Sequence, residues 1–183
     1  MINFRELNSE NTEFPESFTS FLSKRTLVTK EVRNTVGDII SQIRNNGDEA
    51  LKSLTKEFDN FEAEEFMVSE KEINEILKNF DKSLIKSFEF SFDRLINYQS
   101  TCFDSLNLDG PKREITRKFR TIDSVGMYIP GGKASYPSTV LMGSAPAIAC
   151  GVKQISIASP ALNGSLNPMV IAAAQVVGVD KIY

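Results

Sequence analysis

Histidine and tryptophan are both absent from the 183 residues, and there are only two cysteines. Histidine is the usual general base near neutral pH and the commonest metal ligand, so chemistry run by this chain alone falls to carboxylates, lysines, tyrosines or backbone groups. Cys102 and Cys150 lie far apart in sequence and form neither a metal pattern nor a disulfide framework. A reducing cytoplasm is therefore the expected compartment. No apolar run approaches the length that spans a bilayer. The opening Met-Ile-Asn-Phe-Arg-Glu-Leu has neither the basic nor the apolar region of a signal peptide. The formal net charge of −3 supplies no basic field for nucleic acid or anionic lipid, so neither is an expected partner.

What is present is unevenly spread. All 13 phenylalanines precede residue 124, as do 18 of the 21 basic and 23 of the 24 acidic residues. From Val125 onward the only charged side chains are Lys133, Lys153, Asp180 and Lys181, while this stretch holds seven of the ten glycines and five of the seven prolines. A charged, phenylalanine-rich region reads as amphipathic helices. Small and β-branched residues punctuated by glycine and proline read as tightly connected α/β units. Two parts are expected: residues 1–124, mainly helical, and residues 125–183, the start of a Rossmann-like domain.

In the first part Val28, Val32, Val36, Ile39, Ile40 and Ile43 fall on one helical stripe, ended by Asn45-Asn46-Gly47. Asp48 can cap the next helix, with Leu51, Leu54 and Phe58 facing inward. Ser69 and Glu72 have the spacing of a capping box. Asp81 opens the longest helix, on which Leu84, Ile85, Phe88, Phe92, Leu95, Ile96 and Gln99 share a face. Helical spacing alone accounts for that stripe as core packing. Residues 114–120 alternate polar and apolar and suit a half-buried or edge strand, its basic residues on a solvated face.

The second part reads β-α-β-α-β. Ser124–Ile129 is a short strand, broken by Pro130-Gly131-Gly132. Ser138 is the expected cap of a helix running to about Cys150, kinked at Pro146 and stopped by Gly151. Gln154–Ala158 is a second strand. Asn167 and Pro168 start another helix, Gly178 ends it, and Lys181-Ile182-Tyr183 opens a third strand that is cut short. Such alternation predicts a parallel sheet. The fold class is therefore α/β, a helical N-terminal region followed by an incomplete Rossmann-like parallel unit.

Parallel α/β sheets bind ligands beyond the carboxyl ends of their strands, where Tyr128-Ile-Pro-Gly-Gly-Lys-Ala-Ser-Tyr-Pro-Ser-Thr lies. Gly131 and Gly132 let backbone N–H groups approach a ligand, and the helix N-terminus beyond offers free donors to an anion. The loop is neither a G-x-G-x-x-G fingerprint nor a P-loop, and these features fit a ligand site or a plain strand–helix turn equally. Lys133 reads as a solvated loop lysine and Cys150 as a small buried hydrophobe.

The stretch Val125-Gly-Met-Tyr-Ile-Pro-Gly-Gly-Lys-Ala-Ser-Tyr-Pro-Ser-Thr-Val-Leu-Met closely resembles the strand–loop–helix of histidinol dehydrogenases. The similarity continues through Ala145-Pro-Ala, Ile155-Ser-Ile-Ala-Ser-Pro, and Asn167-Pro to Gly178-Val-Asp-Lys-Ile-Tyr. It covers the whole chain, most strongly from about residue 119. The resemblance implies a zinc-containing, NAD-dependent homodimer that oxidises L-histidinol through the aldehyde to L-histidine in histidine biosynthesis. It places Tyr128, with Pro130, Gly131 and Gly132, at NAD, and Ser138 near the substrate. Helix capping explains Ser138 as well. Members of that family are more than twice as long. Their zinc ligands and their glutamate–histidine pair correspond to nothing in this chain, so no catalytic residue and no metal ligand carries over. The chain alone is expected to be inactive. The family's Phe-His pair near the end of the long helix is Tyr98-Gln99 here, which leaves open a related dehydrogenase acting on another alcohol. A non-catalytic nucleotide-binding module is the alternative of a different class.

Overall fold

Local capping chemistry sets several of the helix boundaries. The Ser69 and Glu72 side chains each bind the other's backbone N–H, at 3.3 and 2.8 Å, and so satisfy two donors that the first turn of a helix leaves free. Asp81 accepts the Ser83 N–H at 2.8 Å at the head of the next helix. The computed structural model describes residues 6–25, 30–106, 119–131, 135–161 and 164–183. Val28, most of the 114–120 segment, Gly132 and Lys133 lie outside these; Phe119 and Arg120, which are described, belong to no strand.

The elements are α1 (Phe14–Arg25), α2 (Lys30–Asp59), α3 (Glu70–Leu77), α4 (Lys82–Leu106), β1 (Ser124–Tyr128), α5 (Pro137–Ala149), β2 (Gln154–Ala158), α6 (Pro168–Val177) and β3 (Lys181–Ile182). Helix α2 is two helices joined at Gly47, whose φ of 57° and ψ of −135° break the spiral where Asn-Asn-Gly predicts an end. The chain forms two compact units, residues 1–51 and 52–183. In the first, Phe14 and Phe18 stack with ring centroids 5.3 Å apart. The stripe on α2 is helical as expected, yet Val36 and Ile40 keep almost half their surface exposed.

The second unit is built on a parallel sheet ordered β1-β2-β3. The alternation of its strands separates two faces. Ile155, Ile157 and Ile182 are buried, and Ile157, Ile182 and Ile129 share one core with Val140 and Leu141 of α5 and Val170 and Ile171 of α6. Full burial of one such side chain contributes about 1.5–3 kcal/mol. Outside these helices pack α3, through Ile73, Ile76 and Leu77, and α4, through Phe88, Phe92 and Leu95. Phe88, Phe92 and Leu95 of the phenylalanine stripe are thus partly buried against this core, and Phe88 and Leu95 also line a groove between α4 and α5. On the other face Ser124, Gly126, Tyr128, Gln154, Ala158, Lys181 and Tyr183 are exposed.

The second part of the chain therefore has its expected α/β order, with two differences in detail, at Ser138 and at the end of β1. Ser138 is not a helix cap: α5 begins at Pro137, Tyr136 holds the cap position, and no side chain caps the helix. Proline suits the first helical position because its fixed φ matches and its missing N–H would lack a partner there anyway. It draws the boundary ahead of Ser138. Helix α5 ends at Ala149 with Cys150 at its C-cap, as expected, and holds Pro146 within it. Strand β1 ends at Tyr128, although the Ile129 N–H still donates to the Ala158 carbonyl at 2.8 Å.

Candidate functional site

The carboxyl ends of β1 and β2 open onto a cavity of about 270 Å³. Pro130, Gly131 and Ser135 line it from the loop after β1, and Ser159 and Pro160 from the loop after β2. Ser165, Asn167 and Pro168 close it at the head of α6. Asn167 is already engaged, its side-chain oxygen accepting the Met169 N–H at 3.0 Å. Among the described residues the lining has no charged side chain; its polar groups are hydroxyls, the Asn167 amide and backbone groups.

Gly131 has a demonstrable reason to be glycine. A Cβ at that position would stand 3.1 Å from Pro160 Cδ and 3.2 Å from the Pro160 carbonyl oxygen. The two strand-end loops therefore approach one another through Gly131, and a side chain there would push them apart.

The residues singled out from sequence fall into three places. Pro130 and Gly131 line the cavity. Tyr128 is 67% exposed and alternates with the half-buried Met127 and the buried Ile129, so it stands on the open face of the sheet. Ser138 lines a separate apolar groove of about 650 Å³ between α4 and α5, with Phe90, Arg94, Tyr98 and Met142. Arg94 lies over the Phe90 ring, 5.7 Å from its centroid. Sequence reading missed Ser159, Ser165 and the Arg94 groove. The strand-end rule that selects the β1 loop applies equally to the loop after β2 and points to Ser159.

Shifted titration does not mark either hollow. Glu72 is held below its ordinary range by hydrogen bonds from the Ser69 hydroxyl and backbone. Asp81 is lowered by the Ser83 backbone N–H and then its side chain. The paired Glu62 and Lys56 shift down and up, through their mutual hydrogen bond and then their charges. All four are exposed and lie outside the cavity and groove. A catalytic zinc does not fit the described residues, among which no three cysteines or carboxylates converge. Cys102 and Cys150 are free thiols.

An open parallel sheet, helices packed on one face and a hollow at the strand carboxyl ends define an α/β protein. The family model described as histidinol dehydrogenase matches residues 22–183, and the chain belongs to the histidinol dehydrogenase family. The histidinol dehydrogenase of Nitrosomonas europaea is 36% identical over 190 residues, covering 100% of this chain and 44% of that relative. That of Oceanobacillus iheyensis is 41% identical over 161 residues, covering 86% of this chain and 38% of the relative. A crystal structure of histidinol dehydrogenase from Elizabethkingia anophelis aligns with a TM-score of 0.72 at 27% identity, covering 86% of this chain and 37% of that one. The chain thus spans about two-fifths of the length of these relatives.

Proposed function

We propose that this chain is the cofactor-side portion of an NAD-dependent, zinc-containing dehydrogenase that converts L-histidinol through the aldehyde to L-histidine. Membership of the histidinol dehydrogenase family carries the reading. The position of Tyr128, Pro130 and Gly131 at the sheet's carboxyl edge supports it. Residues 1–124 then form the mainly helical part of a first domain, and residues 125–183 the start of a Rossmann-like NAD-binding domain. Tyr128 packs an aromatic face against the cofactor, Pro130 and Gly131 bound the hollow beside it, and Gly132 continues the same loop. Ser138, at the head of α5, meets the substrate in the neighbouring groove. The working enzyme is read as a cytoplasmic homodimer.

NAD supplies the hydride acceptor. Alcohol oxidation also needs a base for the hydroxyl proton, and this chain has no histidine for that task. The 183 residues alone are therefore expected to bind the dinucleotide without turning over. Calorimetry with NAD tests this on the chain itself: wild type binds, and Tyr128→Ala weakens binding about tenfold. Absence of any NAD heat would sink the cofactor reading. Formation of NADH from histidinol by the isolated chain, or tight stoichiometric zinc binding, would sink the assignment of chemistry elsewhere.

A specific feature supports a second reading. Tyr98 lies with Ser138 in the α4–α5 groove, and Tyr98-Gln99 stands where the family has Phe-His. An altered groove suits a related dehydrogenase with another alcohol substrate. Competing alcohols against histidinol in a family-length version separates the two.

A further inference from the structure

The stretch between α2 and α3 is fastened to the α/β part of the second unit at two points. Asn60 has a positive φ of 51° where the chain leaves α2, a conformation that asparagine tolerates better than most residues. The half-buried Phe61 then lies against Gly164: a Cβ on that glycine would stand 2.5 and 2.6 Å from two atoms of the Phe61 ring. Ala63 is buried. At the far end the Val68 N–H donates to the Ile182 carbonyl at 2.8 Å. Both fastenings lie within residues 52–183.

Gly164 precedes Ser165, and Ser165 lines the strand-end hollow together with Ser159 and Pro160. The wall that carries these residues is met from two sides, each time at a glycine. Pro160 stands against Gly131, and Gly164 stands against Phe61. Phe61 does not itself line the hollow. Side chains packed this closely fix the backbone they touch, and cutting one back leaves a gap into which that backbone can relax. A wall held in place before a ligand arrives also spares the ligand the cost of ordering it.

From these contacts we infer that Phe61 is a positioning residue: it sets the Gly164-Ser165 side of the hollow from behind, without touching what the hollow holds. The inference rests on the cofactor reading and deepens it, since the place of one wall around the dinucleotide then depends on a residue of the helical part of the chain. Phe61 thereby gains a role that motif reading does not give it.

The test uses the full 183-residue chain and two readouts, amide hydrogen exchange without ligand and NAD affinity by calorimetry. Phe61→Ala is expected to speed exchange at Gly164 and Ser165 about tenfold more than at Ile171 in the core, and to weaken NAD binding about tenfold. Phe61→Leu is the milder truncation and should weaken binding about threefold; it decides alone if Phe61→Ala does not fold. Asp180→Ala is the control for a general loss of stability, because it removes a hydrogen bond to Ile155 near the opposite end of β2. It should leave NAD affinity within about twofold of wild type. Wild-type affinity in the Phe61 variants, or an equal loss in Asp180→Ala, overturns the positioning role and leaves the cofactor reading standing. If wild type itself gives no NAD heat, the cofactor reading falls and exchange decides the rest. Gly164 and Ser165 exchanging no faster in Phe61→Ala than in wild type would then overturn the role, and faster exchange confined to them would uphold it.

Discussion

Asp180 and Ile155 bind each other twice. The Asp180 N–H donates to the Ile155 carbonyl at 2.9 Å, and the Ile155 N–H donates to Asp180 Oδ2 at 2.6 Å. The chain reaches β3 through Gly178, in the left-handed conformation with φ 76°, and the first β2–β3 ladder pair is Ser156 with Lys181. The Asp180 carboxylate supplies the acceptor that the ladder lacks. On its other side β3 is met by the Val68 N–H, which donates to the Ile182 carbonyl at 2.8 Å.

This clasp gives the first prediction. Asp180→Ala leaves the part-buried Ile155 N–H without its acceptor and should cost about 1–2 kcal/mol of stability. Asp180→Asn retains an acceptor and should cost less than half as much. Urea unfolding measures both, and equal losses would show that the carboxylate's charge, not its hydrogen bond, is what matters.

Gly164 joins two obstacles to a side chain, a positive φ and a close ring. Its φ is +73°, and a Cβ there would lie 2.5 Å from the Phe61 ring. Gly164→Ala combines a left-handed backbone with a steric clash and should destabilise the chain by about 2–3 kcal/mol. In Phe61→Ala the clash disappears and only the backbone term of about 1 kcal/mol remains. The double-mutant cycle checks this: additive losses would mean that Phe61 moves aside freely.

Legibility from sequence tracks the range of the interaction that decides each feature. Ser69/Glu72, Gly47, Asn167-Pro168 and Gly178 act within a few residues of themselves, and each is where its chemistry predicts. Strand order follows from alternation, since short β-α-β links leave few other parallel arrangements. At Pro137-Ser138 two local signals compete, and proline wins. Features made by distant partners could not be read this way. Nothing local announces that Gly131 touches Pro160, that Phe61 lies against Gly164, or that Tyr98 shares a groove with Ser138. Nor does periodicity decide burial: Phe58 was expected on an inner helix face and is 59% exposed.

The capping difference between α5 and α6 can be measured directly. Asn167 caps α6 through Met169, whereas α5 has no side-chain cap. Asn167→Ala should therefore cost about 1 kcal/mol, and Ser138→Ala less than about 0.5 kcal/mol. Thermal denaturation of the two variants compares them. A Ser138→Ala loss equal to that of Asn167→Ala would restore Ser138 as a cap.

Acid should weaken the head of α3 in a way that one substitution isolates. Glu72 accepts the Ser69 N–H at 2.8 Å and the Ser69 hydroxyl at 2.7 Å, and these bonds hold its carboxyl below the ordinary 4.5. The folded chain thus binds this proton less readily than the unfolded chain. The resulting stabilisation is fully present above the unfolded-state value and is lost as pH falls through the lower folded-state value. Glu72→Gln keeps a polar side chain of the same length but cannot titrate. Wild type should therefore exceed Glu72→Gln in stability at pH 6, and the gap should close as pH falls below about 4. Asp81, also lowered, is common to both proteins and cancels from the difference. Denaturant midpoints at pH 6, 5, 4 and 3 give the comparison. A gap that stays constant across the series would mean that the ionised carboxylate contributes nothing to the capping box beyond what a neutral amide supplies.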